Sequence, residues 1–180
     1  MKKRQHWQLW AGGLEEKAMK IIERAVKNVP VQDGVTGLKN KTDKKTRDSQ
    51  IGWVKEPLVR EILYRYVWEA NTSAFNVNVY NKADVQYTEY NGGHYDWHID
   101  TFFGDTSLTA RKLTITVQLS EPDQYEGGDF EFVEAPPLPK EAKKKGSVLV
   151  FPSYLKHRVT PVTKGIRKSL VAWFEGEHWR

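Results

Sequence analysis

The chain has 180 residues, carries a formal charge of +5 and contains no cysteine, which excludes disulfides, thiolate metal sites and a cysteine nucleophile. A hydrophobic fraction of 39% with 28% charged residues is that of a globular protein, and no apolar run approaches bilayer-spanning length. The opening residues, MKKRQHWQLW, lack an apolar stretch before a small-residue cleavage site, so no signal peptide is expected and the cytoplasm is the expected location.

The first third reads as helical. In LEEKAMKIIERAVKN, Leu14, Ala18, Ile21, Ile22 and Ala25 recur at helical spacing, with Gly13 as a cap. EPLVREILYRYVWEAN predicts a second helix with Pro57 in its first turn and Leu58, Ile62, Leu63, Tyr66 and Ala70 as its apolar stripe. Residues 30–50 between them are rich in Gly, Lys, Asp and Thr and read as one long loop, in which Arg47 either closes over substrate or, the favoured reading, is solvated. From Phe75 the pattern turns to strands: AFNVNVY, VQYTEY, RKLTITVQL, GDFEFV, GSVLVFPS and IRKSLVAWFE are short, β-branched or aromatic, and bounded by turn residues. Many short strands in succession predict a sandwich, barrel or jelly roll behind N-terminal helices. One domain over 1–180 is expected, with a helical part at about 1–72 and a β core at about 73–176. The basic runs KNKTDKKTR and KEAKKK read as solvated loops, because neither interleaves the aromatics that would stack on single-stranded nucleic acid.

The chemistry concentrates in YNGGHYDWHIDTF, residues 90–102. As a strand it would place Asp96, His98 and Asp100 on one face and Tyr95, Trp97 and Ile99 on the other. Gly92 and Gly93 argue against the helical alternative, in which His94 and His98 would pair. His157 follows the apolar strand SVLVF and a proline-containing turn, and can complete a set of two histidines and one carboxylate. Such a set holds non-haem Fe(II) and leaves coordination positions open. Arg167 opens the next strand and shares its face with Trp173, whereas Lys168 points the other way. A guanidinium at that place suits a carboxylate, which it grips through two parallel hydrogen bonds.

Tyr90, Gly93, Tyr95, His98 and Asp100, followed by YEGGDFEF, GSVLVFPS, His157, PVTKGIR and SLVAW, resemble the 2-oxoglutarate, Fe(II)-dependent oxygenases, and within them the prolyl 4-hydroxylase-like and PKHD-type hydroxylases. The resemblance runs from about Phe75 to Trp173 and extends weakly upstream through TRDSQIGWV. It implies a double-stranded β-helix, a jelly roll with helices packed outside. It also implies that His98, Asp100 and His157 bind the metal and that Arg167 receives the distal carboxylate of 2-oxoglutarate. Tyr90, with Tyr87 as the alternative, would contact the co-substrate, as would Thr114. The implied activity is a dioxygenase that consumes O2 and 2-oxoglutarate, with ascorbate as a reductant, and hydroxylates a peptidyl proline of a protein or peptide substrate, or another peptidyl or free amino-acid side chain. A nucleic-acid oxidative demethylase and a non-catalytic jelly-roll binding module are the alternatives, and no membrane partner is expected.

Overall fold

The computed structural model describes residues 5–36, 42–103 and 107–179. Two helices, α1 (Glu16–Val26) and α2 (Pro57–Ala70), pack on one face of a large antiparallel sheet. Among the described residues there are ten strands: β1 (Gln8–Trp10), β2 (Gln32–Asp33), β3 (Arg47–Trp53), β4 (Ala83–His98), β5 (Ala110–Gln118), β6 (Tyr125–Gly127), β7 (Phe130–Phe132), β8 (Val148–Pro152), β9 (His157–Val159) and β10 (Val162–Gly176). The long layer runs β1-β8-β5-β10-β4-β3-β2. β9 pairs with the end of β4, β7 pairs with β9, and β6 pairs with the start of β10. This second layer lies over the first, with Phe132 of β7 packed edge-on against Phe151 of β8 at 5.0 Å. The architecture is the jelly roll expected from the strand pattern and the resemblance. No helix among the described residues is long and apolar enough to cross a membrane.

The alternation within the strands decides where the core lies. Leu113, Ile115 and Val117 of β5, Val148 and Val150 of β8, and Leu170, Ala172 and Phe174 of β10 face the helices, where they meet Ile22, Val59, Leu63 and Val67. Their alternates face the space between the layers. Many of those are polar yet buried: Gln86, Thr88, Thr114, Thr116, Gln118, Arg167 and Ser169. An ordinary sandwich buries its apolar faces between the sheets. Here the apolar face of the long layer is covered by helices, and its other face brings these polar groups into a space also lined by aromatic rings, the mixture a ligand chamber uses.

Several local expectations are corrected. Residues 30–50 are not one loop: β2 pairs with β3, and Arg47–Gln50 belong to β3, while 37–41 lie outside the described residues. With β1 also in the sheet, the first third is not simply helical. Gly13 donates to the Trp10 carbonyl in the turn after β1, and the α1 cap position is Glu15. AFNVNVY does not form a strand. The chain makes a wide helical turn at Asn71–Phe75, and the Asn71 side chain bonds both the amide and the carbonyl of Val77. Asn76 takes φ 50°, which breaks an extended backbone. Phe75, Val77 and Val79 nevertheless pack against the core, so the periodicity reported burial and not hydrogen bonding.

Candidate metal and co-substrate site

His98 ends β4, His157 opens β9, and the two residues sit opposite one another in the β4–β9 pairing. Asp100 lies just beyond β4, where its amide and that of Thr101 both donate to the Ser153 carbonyl, at 2.9 and 3.2 Å. One ligand atom from each of the three residues lies within 4.8 Å of the others. The Nδ1 of His98 donates to the Asp96 carbonyl at 2.7 Å, and the Nδ1 of His157 to the Leu155 carbonyl at 2.8 Å. Because a carbonyl can only accept, each neutral imidazole presents an unprotonated Nε2. Both Nε2 atoms face the Asp100 carboxylate, at 3.6 Å for His98 and 3.5 Å for His157.

Two imidazole lone pairs and a carboxylate therefore converge with no donor between them. A divalent cation fits that gap, and the two backbone-held Nδ1–H groups are the outer support that metal-binding histidines usually have. The Thr114 hydroxyl donates to Asp100 Oδ2 at 2.8 Å and lies 3.0 Å from the Ser153 hydroxyl, so the carboxylate is oriented as well. Burial pushes the His98 imidazole down to about 3, with nearby His157 adding to the effect. Burial alone would raise the Asp100 carboxyl, but His157, His98, Arg111 and the Thr114 hydrogen bond outweigh it and hold the carboxyl below its ordinary value. Burial thus favours the neutral His98 imidazole, and its surroundings hold Asp100 as the carboxylate.

Aromatic rings fix the imidazoles. Tyr95 stacks on His98 at 3.5 Å, Phe130 stacks on His157 at 5.1 Å, and Phe151 meets His157 edge-on at 4.8 Å. Strict alternation along β4 would have sent Tyr95 away from His98. The register shifts between Tyr95 and His98, which turns Tyr95 into the pocket and leaves Asp96 exposed, bonding the Trp97 amide. A bulge adds a residue and resets which side chains share a face.

Deeper in the same pocket, Arg167, Ser169, Val171 and Trp173 of β10 line one wall. The Arg167 side chain makes no hydrogen bond or ion pair with the described residues; its guanidinium lies 5.6 Å from the Tyr90 ring centre. Gly128 leaves room for it, since a Cβ there would come within 2.8 Å of Arg167 Cδ. Lys168 faces away and meets Glu89 at 3.4 Å. Tyr90 is buried in the pocket, whereas Tyr87 belongs to the helix-facing core and donates to Glu89. Thr114 lies in the pocket too, with its hydroxyl engaged by Asp100. A second, larger cavity of about 850 Å³ shares Thr116, Phe130 and Arg167 with this one.

Two pocket residues, Arg47 and Phe130, and one residue bonded to Asp100, Arg111, were misread or missed in the sequence. Arg47 is not solvated: it is 5% exposed and lines the pocket from β3. The signal was present in TRDSQIGWV, where Arg47, Ser49 and Ile51 are the buried alternates of a strand. Arg111 donates to the Asp100 carbonyl at 3.3 Å and covers the Trp173 ring at 4.1 Å. Nothing in its local pattern distinguishes it. Phe130 sits in GDFEF, a strand recognised without its role. His94 bonds the Lys45 carbonyl, away from the triad.

Residues 85–175 match the family model for the 2OG-Fe(II) oxygenase superfamily, half of the chain and all of the triad. The chain belongs to that superfamily. In sequence it is 37% identical over 91 residues to a PKHD-type hydroxylase of Synechococcus sp. (strain CC9311), covering 51% of this chain and 40% of that protein. A PKHD-type hydroxylase of Stutzerimonas stutzeri (strain A1501) is 28% identical over 130 residues, covering 67% and 57%. The matches span about two fifths to three fifths of these curated relatives' length. Among solved structures, a Pseudomonas putida prolyl-4-hydroxylase superimposes with a TM-score of 0.70 at 18% identity, covering 97% of this chain and 95% of that one. A viral collagen prolyl hydroxylase from Paramecium Bursaria Chlorella virus-1, in its 2OG complex, gives 0.66 at 22% identity over 96% and 97%. These two share the fold with this member of the superfamily.

Proposed function

We propose that this chain is a 2-oxoglutarate- and O2-dependent oxygenase that hydroxylates a prolyl side chain in a protein or peptide, acting as a single domain. The observation that carries the reading is the convergence of the His98–Asp100–His157 set, in one pocket, with a buried Arg167 that makes no hydrogen bond or ion pair with the described residues. The Nε2 atoms of His98 and His157 and the Asp100 carboxylate would hold Fe(II). The bound iron supplies the oxidising chemistry with O2, while the conversion of 2-oxoglutarate to succinate and CO2 provides the electrons.

The protein's own part is positioning and exclusion of water. Arg167 grips the far carboxylate of 2-oxoglutarate with two parallel hydrogen bonds, which fixes the reacting end against the triad. Tyr90 walls that end of the chamber, and Thr114 keeps Asp100 turned toward the imidazoles. Tyr95, Phe130, Phe151 and Trp173 make the chamber apolar around the triad, which limits access of water to the reacting groups. The names of the PKHD-type relatives and of the prolyl hydroxylases that share the fold support proline as the target. The lysine-rich run offers less to a nucleic acid than its charge suggests, since Lys143 pairs with Asp129 at 2.7 Å and Lys145 with Glu23 at 2.6 Å.

The test is mass spectrometry of proline-containing peptides, and of methylated oligonucleotides as the contrast, incubated with protein, Fe(II), 2-oxoglutarate and ascorbate. The expected result is one added oxygen on a prolyl residue, lost in His157→Ala together with succinate formation. Oxidation of the oligonucleotide alone would transfer the activity to nucleic acid. Absence of succinate from the iron-loaded protein, with or without substrate, would favour a binding module.

A further inference from the structure

The pocket holds a second buried guanidinium that the proposed reaction does not use. Arg47 comes from β3, outside the segment that matches the family model, and is 5% exposed. Its Nε donates to the Ser49 hydroxyl at 2.9 Å and its Nη1 to the Val35 carbonyl at 3.2 Å. Both partners are neutral, and Nη2 has no hydrogen bond to the described residues. The nearby acidic residues Asp33 and Asp48 are engaged by Lys44 instead. A buried cation whose hydrogen-bond acceptors among the described residues are all neutral retains most of its desolvation cost, which an anion would relieve.

The position of Arg47 is built. A Cβ at Gly34 would lie 2.8 Å from Arg47 Nε and 2.7 Å from Ser49 Oγ, so the absence of that side chain makes the space. The guanidinium lies over the Tyr95 ring at 4.6 Å, and the other partner of Tyr95 in stacking is His98. One aromatic ring therefore separates Arg47 from the triad. Along β4, Arg47 pairs opposite Tyr95 while Arg167 pairs opposite Tyr90, so the two cations stand at different depths of one chamber. The deep one is assigned above to the co-substrate. We propose that Arg47 binds a carboxylate of the primary substrate, so that the enzyme selects a target residue carrying or adjoining a carboxylate. This rests on the proposed oxygenase reading. The carboxylate has two sources, the C-terminus of a chain ending in the target residue or an acidic side chain next to it.

The experiment is calorimetric titration of the full chain, loaded with Mn(II) and 2-oxoglutarate, with matched peptides. One pair ends in proline as the free acid or the amide; the other, amidated throughout, has Asp-Pro or Asn-Pro within it. At least about a tenfold preference for the acid member is expected in one pair, which identifies the source. The preference should fall to about one in Arg47→Gln and return in part in Arg47→Lys. Gly34→Ala, which displaces Arg47 without removing it, should also lower it and serves where Arg47→Gln does not fold. Equal binding of acid and neutral members, no binding of any carboxylate member up to millimolar concentration, or a preference that survives Arg47→Gln overturns the inference. Arg47 as a mere staple for residues 34–36 would weaken both members of a pair alike. Affinity for 2-oxoglutarate and succinate formation, read on the same protein, report separately on the oxygenase reading.

Discussion

Replacing Arg167 with Met should move ligand affinity and stability in opposite directions. Arg167 is 5% exposed, and its guanidinium makes no hydrogen bond or ion pair with the described residues. In the ligand-free protein its burial is a cost, tempered by whatever water the chamber admits. An apolar side chain of similar length should therefore stabilise the metal-loaded, ligand-free protein by about 1 kcal/mol. With 2-oxoglutarate present the balance reverses. Removing one partner of a buried guanidinium–carboxylate pair costs about 2–5 kcal/mol, or roughly 30-fold to several thousandfold in Kd. Calorimetric titration of 2-oxoglutarate into the Mn(II)-loaded protein reads the affinity, and urea denaturation without 2-oxoglutarate reads the stability. Lys168→Ala is the internal comparison, since Lys168 lies on the opposite face beside Glu89. If Arg167→Met left 2-oxoglutarate affinity intact while Lys168→Ala weakened it, the face assignment of β10 would be wrong.

Thr114→Val keeps the shape but removes the hydrogen bond to Asp100, and should weaken Mn(II) binding about 10- to 100-fold in a direct titration. Unchanged affinity would show that Asp100 is oriented by its backbone alone. Gly128→Ala should destabilise the fold by about 1–3 kcal/mol, because φ is +59° and the new Cβ meets Arg167 Cδ at 2.8 Å. It should also weaken 2-oxoglutarate binding; a variant as stable and as tight as the parent refutes the close approach. The metal-free protein should lose stability as pH falls through the window between 6.5 and about 3, because His98 is held at about 3 in the fold and the unfolded chain takes up the proton first. Between pH 6.5 and pH 5 the loss attributable to His98 should be about 2 kcal/mol. Denaturation curves at the two pH values should show that difference in the parent and a smaller one in His98→Gln.

Local pattern determined much of this protein. The 3.6-residue period of α2, the two-residue period of β5, β8 and β10, and the His-x-Asp spacing are properties of short stretches, legible because each period fixes which side chains share a face. Parity alone separated Arg167 from Lys168. Where a strand departs from its period, the sequence misleads. The bulge near His98 brought Tyr95 into the pocket and turned Asp96 out, and Asn71 diverted residues 75–79 from a ladder they had the composition to join. The tertiary structure alone decided which face of the sheet is the core. Leu113, Ile115 and Val117 alternate with Lys112, Thr114 and Thr116 in any fold, but only the helices lying on the apolar face leave the polar one turned inward. It also decided the neighbours of Asp100 and the burial of Arg47. Those depend on contacts between segments distant in sequence, such as Asp100 with Ser153 and Arg47 with Tyr95, and no local periodicity encodes such pairings.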